Sequence, residues 1–337
     1  MKYILTLTDA KDVKAGVEVF NEYLKKVFPG TKILHCGGLA ESFPLFKEPN
    51  LAKKLDKKFL GNLQTYRPEL VFTNGMYGWA LTPEKVNCPI INIQHGTYAG
   101  FADNAMKLSL NYFRTRYVYS RYERKGAQRA TVVVANSAFT KQNLEKYYGV
   151  KDARVINQCI DMDVFKPMNK IIARKNLSLP QDKKICLFVG RPDYTKGFDV
   201  VVSLAEKHKG IDFVCVMNPV IEPPTKNMVI RGSVSHEKLK EYYCASDFVI
   251  FPSRFEGFGY VPLEALACNT PVIANAVGVV PEIKVEGCLK VENNSLTIFS
   301  ERIREIPEKI NSRQYVEKNF SFELFAKKYK ELVKIVL

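Results

Sequence analysis

The chain has 337 residues, 46% of them hydrophobic and 25% charged, with a formal net charge of +15. That length suggests about two domains, and no apolar run approaches the roughly 20 residues that span a bilayer, which excludes a helical membrane-spanning class. None of the eight cysteines falls in a CxxC pair, so neither a disulfide framework nor a cysteine-built zinc site is expected, and a cytoplasmic chain is the economical reading.

Met1–Thr6 is too short an apolar run, and Asp9 comes too soon, for a signal peptide. Tyr3–Leu7 reads as a first strand, Lys14–Val27 as a helix, Thr31–Cys36 as a second strand and Leu51–Tyr66 as an amphipathic helix. Leu70–Phe72, Pro89–Ile93 and Thr131–Val134 are buried-strand material, Ser137–Tyr148 a helix and Val155-Ile156 a short strand. The pattern restarts after a linker, Asn157–Pro167. Ile185–Val189 is a strand, Gly197–Lys207 a helix, Phe213–Met217 and Val229-Ile230 strands, and His236–Ala245 a helix. Asp247–Phe251 reads as a buried parallel strand, followed by a helix to Cys268 and the strand Val272–Ala274. Pro262 suits a first helical turn, and Asn269 suits a left-handed cap before Pro271. Phe322, Phe325, Ala326, Tyr329, Leu332, Val333 and Val336 then fall on one helical stripe. Strands alternating with helices imply parallel sheets with helices on both faces. The expected fold class is α/β, in two Rossmann-like halves.

The positive charge calls for a partner. Lys and Arg outnumber Asp and Glu by 24 to 15 in residues 1–165 and by 26 to 20 in residues 166–337. Such an excess fits nucleic acid, an anionic membrane surface or phosphate-bearing substrates. No nucleic-acid motif occurs, so nucleic acid is not expected as a partner. Residues 106–129 concentrate Lys107, Arg114, Arg116, Arg121, Arg124, Lys125 and Arg129 against one acid, Glu123, with five interleaved aromatics. This segment fits either a peripheral anionic membrane surface or a helix with a solvated basic face.

Four stretches carry candidate chemistry. Glu256 lies in a loop at a strand's carboxyl end, beside Gly257, Phe258 and Gly259, and Glu264 lies in the following helix. That edge of an open α/β sheet is where ligands bind. Taken alone, the two glutamates fit a solvated loop charge and a helix-dipole partner equally well. Gly190–Gly197 links a strand to a helix and places Arg191 and Lys196 near a helix N-terminus, which favours anions. It matches neither a P-loop nor a GxGxxG turn. Gln94-His95-Gly96-Thr97 again follows a strand, and His95 there fits a structural or a substrate-facing role. Asp161-Met162-Asp163 looks like a metal-binding DxD but sits in the linker.

The string from Ser253 to Gly259, then Leu263–Ala267, Thr270–Ala274, Gly278 and Pro281-Glu282, resembles the donor site of glycosyltransferase family 4. That family has the GT-B fold, two Rossmann-like domains facing a cleft, and two glutamates separated by seven residues, the spacing of Glu256 and Glu264. The resemblance implies a retaining, metal-independent transferase, of hexosyl type, acting on a nucleotide-diphosphate sugar. It implies no cofactor, a UDP- or GDP-sugar as donor, and a glycan or lipid-linked acceptor. The catalytic set would be Glu256, His95, Arg191 and Lys196. Donor binding would use Gly16, Arg191, Lys196, Glu256, Gly257, Phe258, Gly259 and Glu264, with no metal ligand. Asn157, Asp161 and Phe165 match the family's linker pattern and would be structural.

Ala15-Gly16-Val17-Glu18 resembles the family's Gly-Gly-x-Glu loop with Ala15 in place of the first glycine. The implied domains are residues 1–165 with a final helix, about 321–337, crossing back onto them, and residues 166–320. The location would be cytoplasmic, including the inner face of the membrane. A sugar-nucleotide epimerase or a phosphorylase of the same fold, or a basic nucleic-acid binder, are the alternatives.

Overall fold

A computed structural model describes residues 3–7, 16–36 and 46–337. The chain forms two compact units. Unit 1 takes the residues up to Gln158 and then Phe325–Leu337, and unit 2 takes Cys159–Leu324.

Unit 1 is built on β1 (Tyr3–Leu7), β2 (Lys32–His35), β3 (Leu70–Asn74), β4 (Ile90–Gln94), β5 (Val132–Ala135) and β6 (Arg154–Val155). These run in the order β2-β1-β3-β4-β5-β6, every pair parallel. The central β3 and β4 are buried along their whole length, which is why they read as near-continuous apolar runs. The helix expected over Leu51–Tyr66 starts earlier, as Lys47–Gly61, and a short turn Leu63–Tyr66 follows. Asn62 separates the two, with its side chain donating to the Lys58 carbonyl at 2.8 Å. An amide that bonds the preceding turn competes with helix continuation.

The final helix, Phe322–Val336, buries Phe325, Tyr329, Leu332 and Val333. The Phe325 and Tyr329 rings lie 5.8 and 6.0 Å from Phe20, in the helix Gly16–Val27. The apolar stripe at the C-terminus therefore crosses back to complete unit 1.

Unit 2 holds β7 (Lys184–Val189), β8 (Ile211–Val216), β9 (Met228–Arg231), β10 (Phe248–Phe251), β11 (Val272–Asn275) and β12 (Cys288–Val291). The order is β12-β11-β10-β7-β8-β9, again all parallel. The chain starts in the middle at β7, walks outward to β9, and returns to β10 on the other side of β7. That reversal creates a topological switch point between β7 and β10, the edge at which open α/β sheets take their ligands. Phe188, Phe198, Phe213, Phe248, Ile273 and Phe299 belong to the core around this sheet. Phe165 is buried here against His236 and Tyr243, at 5.7 and 6.0 Å. Arg313 holds the same segment through the Phe165 and Met162 carbonyls, at 2.6 and 2.8 Å.

Unit 1 also buries two carboxylates. Asp56 accepts the Gly78 and Ala80 N–H groups, both at 3.0 Å. Glu123 accepts the Tyr98 N–H at 2.8 Å and the Tyr148 hydroxyl. Burial pushes each carboxyl up to about 7, against the pull of these donors. His95 moves the opposite way, because burial lowers its imidazole to about 4.

Between about pH 4.5 and 6.5, an unfolded chain keeps a proton on His95 and none on the two acids. The folded unit keeps two on the acids and none on His95. Through these three groups the folded state binds one more proton, and their contribution to stability falls as pH rises, by about 1.4 kcal/mol per pH unit. Glu123→Gln retains an acceptor for Tyr98 and Tyr148 while removing one titrating group, so it is expected to bring the slope near zero. Denaturant midpoints read by Trp79, the single tryptophan and a unit 1 residue, check this across the acid range. An undiminished slope in the variant would mean that Glu123 stays ionised in the fold.

Candidate active site

The loops after β7 and β10 meet at the switch point of unit 2. Gly190–Gly197 ends in a short 3₁₀ turn, Tyr194–Lys196, and the helix Phe198–Lys207 follows. Pro252–Gly259 leads into the helix Tyr260–Ala267. The two loops touch backbone to backbone. Gly197 sits at φ +71°, and a Cβ there would lie 2.0 Å from the Pro252 carbonyl oxygen, so only glycine fits. The Arg254 N–H donates to the Thr195 carbonyl at 2.9 Å.

The Arg254 guanidinium then forks onto both carboxylate oxygens of Asp199, at 2.7 Å each, and also donates to the Tyr194 carbonyl. It lies 3.7 Å above the Tyr194 ring. Burial works to raise the Asp199 carboxyl, but the Arg254 bonds prevail and hold it below its usual value. A bidentate fork fixes direction as well as charge.

This clamp brings the candidate residues together. Lys196 Nζ lies 2.5 Å from Glu256 Oε1, an ion pair between the two loops. Arg191 pairs with Asp193 at 2.7 Å. Asp193 also accepts the Thr195 hydroxyl at 2.6 Å and the Lys196 N–H at 3.0 Å, which secures the 3₁₀ turn. Burial would raise the Asp193 carboxyl, but the bonds from Thr195 and Arg191 prevail and keep it low. The loop after β11 locks on as well. The Val279 N–H donates to the Phe258 carbonyl at 2.7 Å, and a Cβ at Gly278 would stand 2.2 Å from that oxygen. Gly257, Phe258 and Gly259 thus lie between Glu256 and the start of the helix. Within that helix Glu264 is buried and accepts the Tyr243 hydroxyl at 2.6 Å through Oε2. Its burial raises the carboxyl, opposed by that bond and by His236.

The other expected site residues lie in unit 1. His95 directly follows β4, and both ring nitrogens are taken: Nε2 meets Asn74 Oδ1 at 2.8 Å, and the Gln158 amide meets Nδ1 at 3.1 Å. Amide oxygens only accept, so Nε2 carries the proton and Nδ1 accepts from Gln158. Phe20 packs edge-on to the ring at 4.9 Å. His95 keeps some accessible surface, but a neutral ring bonded on both sides has no free base nitrogen in this arrangement. Gly16 is the exposed first residue of the helix Gly16–Val27, and Ala15 falls outside the described residues. Asp161 Oδ1 accepts the Asp163 and Val164 N–H groups, both at 3.1 Å, an Asx turn in the linker. The sequence does not single out Tyr194, Asp199, Tyr243 or Arg254. The nearest signal was Arg254 beside the Glu256 motif. Nothing marked Tyr243, 21 residues before Glu264.

Comparison with known proteins decides the family. The family model described as "Glycosyltransferase Family 4" matches residues 27–164, and that described as "Glycosyl transferases group 1" matches residues 223–320. The chain belongs to glycosyltransferase family 4. Solved structures share its GT-B fold. Sucrose-phosphate synthase from Thermosynechococcus elongatus superposes with a TM-score of 0.80 at 22% identity, over 99% of this chain and 98% of that one. HepE of Anabaena in complex with UDP-glucose gives 0.74 at 16% identity, over 99% and 100%.

Among curated proteins, D-inositol 3-phosphate glycosyltransferase of Mycolicibacterium smegmatis is 30% identical over 203 residues, 55% of this chain and 47% of that protein. D-inositol 3-phosphate glycosyltransferase 2 of Catenulispora acidiphila is 30% identical over 230 residues, 61% and 53%. The match spans about half the length of these curated relatives.

In this family 4 chain the Arg254 fork has a checkable consequence. Its side chain is largely covered while that of Asp199 is half exposed, so Arg254→Ala is expected to leave β7 and β10 intact. Amide exchange in residues 190–197 and 252–259 should quicken about 2–5-fold, the scale of losing one well-formed, partly exposed pair. Arg254→Lys should recover only part, because a point charge cannot fork. Hydrogen exchange by mass spectrometry reads both loops. Unchanged exchange in Arg254→Ala would assign the loop register to the backbone contacts alone.

Proposed function

We propose that the protein is a retaining glycosyltransferase that moves a sugar from a nucleotide-diphosphate sugar to an acceptor hydroxyl on a glycan or a lipid-linked molecule, without a metal ion. One observation carries this reading: Lys196 and Glu256, from loops on either side of the switch point, share one ion pair at 2.5 Å. A donor presents complementary groups to that pair. Its diphosphate takes Lys196 and draws Arg191 from Asp193. Its sugar hydroxyls take the Glu256 carboxylate that Lys196 releases. The N–H groups of Gly257–Gly259 add dipoles at the start of the Tyr260–Ala267 helix.

As the glycosidic bond breaks, negative charge grows on the leaving diphosphate. Fixed cations already in place stabilise that charge without reorganisation. Lys196 and Arg191 would supply them, so a divalent ion has no step to perform. Tyr243 occupies Oε2 of Glu264, and the ribose hydroxyls are assigned to Oε1. The acceptor hydroxyl attacks from the face the diphosphate leaves, with a phosphate oxygen taking its proton, which retains configuration. UDP-glucose in the HepE structure supports a UDP-sugar as the first donor to try. Acceptor recognition is assigned to unit 1. His95 contributes there by orienting Asn74 and Gln158 rather than by moving a proton.

The expected outcomes separate binding from chemistry. Native-state ligands raise stability, so a thermal-shift panel of UDP-, GDP- and ADP-sugars should single out one base. Glu256→Ala should remove most turnover while that shift persists. Glu264→Ala should weaken the shift itself, because a ribose contact acts in ground and transition states alike. A full rate in a folded Glu256→Ala enzyme would refute its role.

Transfer should also proceed in excess chelator, little changed by Asp163→Ala. Lys196→Ala and Arg191→Ala should each lower the rate about 10²–10³-fold, the scale of one preorganised charge-stabilising group. Loss of transfer on chelation, restored by manganese or magnesium, would overturn metal independence and leave the fold assignment standing.

A further inference from the structure

The basic aromatic segment of unit 1 forms one helical run: Leu110–Phe113, a π-helical stretch Arg114–Tyr119, and Ser120–Arg129. Its inner side is used by the fold. Thr115, Tyr119, Ser120, Glu123, Gly126 and Ala127 are buried. Arg116 pairs with Asp103 at 2.9 Å, Lys125 sits over the Trp79 and Tyr122 rings, and Arg129 donates to the Trp79 carbonyl.

The outer side is different. Leu108 is 77% exposed, Leu110 89%, Phe113 49% and Tyr117 58%. Four of the twelve large hydrophobic side chains exposed among the described residues fall in these ten positions, so this is a cluster and not scatter. Phe113 and Tyr117 stack with centroids 6.1 Å apart. Arg121 and Arg124 continue the same exposed face toward the C-terminus, and neither has an ion pair among the described residues. The one acid of the segment, Glu123, points inward and is buried.

We propose that this face is a docking surface for an anionic lipid bilayer. Leu108, Leu110, Phe113 and Tyr117 would enter the headgroup–acyl boundary, and Arg121 and Arg124 would meet the lipid phosphates. The pattern is that of an interfacial helix: aliphatic and aromatic side chains for insertion, guanidinium groups beside them, and no exposed acid within residues 106–129, the neighbouring Asp103 being paired with Arg116. A second copy of the chain is a poorer occupant, because like-charged arginines would be brought face to face. Nucleic acid is poorer too, since Leu108 and Leu110 offer bases neither stacking nor hydrogen bonds. The proposal does not depend on the transferase reading, because no residue of the face belongs to the candidate site.

The test is flotation of the purified full chain with two kinds of vesicle, phosphatidylcholine alone and phosphatidylcholine with a minority of phosphatidylglycerol. The wild type should float with the anionic vesicles at low salt, be largely released at high salt, and stay behind with phosphatidylcholine alone. Arg121→Gln/Arg124→Gln should lower the partition coefficient about 30-fold, since each cation near such a surface is worth about a fivefold change. Leu110→Ser/Phe113→Ser, which removes only insertion, should lower it on the order of 10–100-fold. Lys57→Gln/Lys58→Gln takes the same charge from an exposed site elsewhere in unit 1 and should change it little.

Three results would overturn the proposal. One is no flotation of the wild type at low salt. Another is an equal loss in the Lys57/Lys58 variant, which would reduce the effect to diffuse charge. The third is a concentration-dependent dimer in sedimentation that Leu110→Ser/Phe113→Ser abolishes, which would give the face to a second copy.

Discussion

The candidate site depends on a contact between two stretches of backbone. Gly197 lies so close to the Pro252 carbonyl that no side chain could stand there, and the Arg254 N–H closes on Thr195 beside it. Those contacts fuse the loops that follow β7 and β10. A cation from one and a carboxylate from the other, 60 residues apart in the chain, then meet at 2.5 Å. The pair is partly buried, so its direct contribution to stability is modest. Its value is geometric: a cation and a carboxylate from two separate loops are held at one place.

The clamp around this pair extends outward in layers. Asp193 holds the Lys196 N–H and the Arg191 guanidinium, and Asp199 holds Arg254. Each acid stays ionised because its bonds outweigh its partial burial. On the other side, Asn275 donates to the Ser253 carbonyl at 2.8 Å, tying the end of β11 to the same loop. The strand ends and the first turns of the helices are therefore tied together around the Lys196–Glu256 pair.

Unit 1 handles polarity differently. Along the carboxyl halves of β3 and β4 it gathers amides: Asn74 and Gln158 bond the neutral His95 ring, and Asn92 and Gln94 bond each other nearby in β4. The oxygens Gln94 Oε1, Asn136 Oδ1 and Gln158 Oε1 are buried there with no donor among the described residues. A buried acceptor left unpaired costs about 1–3 kcal/mol, so these sites call for hydroxyl or water donors. Burial pushes Glu123 and the imidazole beside this network toward their neutral forms.

Much of this was legible in the sequence. The strands and the Rossmann-like alternation follow from apolar runs bounded by turn residues. Pro262 and the left-handed Asn269 delimit their helix as their backbone preferences require, and the stripe from Phe325 to Val333 announced the returning helix. The run from Ser253 to Ala267 carried the family. Those features are local: a residue's own dihedral limits, or a period of two or 3.6.

What the sequence did not contain was pairing. That Arg254 clamps Asp199, that Tyr243 takes one oxygen of Glu264, that both nitrogens of His95 are occupied, and that Asp56 and Glu123 are buried with raised pKa values all depend on which strands become neighbours. Strand order is decided by the collective packing of two sheets, and it brings together residues 21 to 63 positions apart with no periodic mark between them. The sequence determined the elements and carried the family. Only the tertiary structure decided which charges face each other, because that distance is set by the whole sheet and by no single stretch of chain.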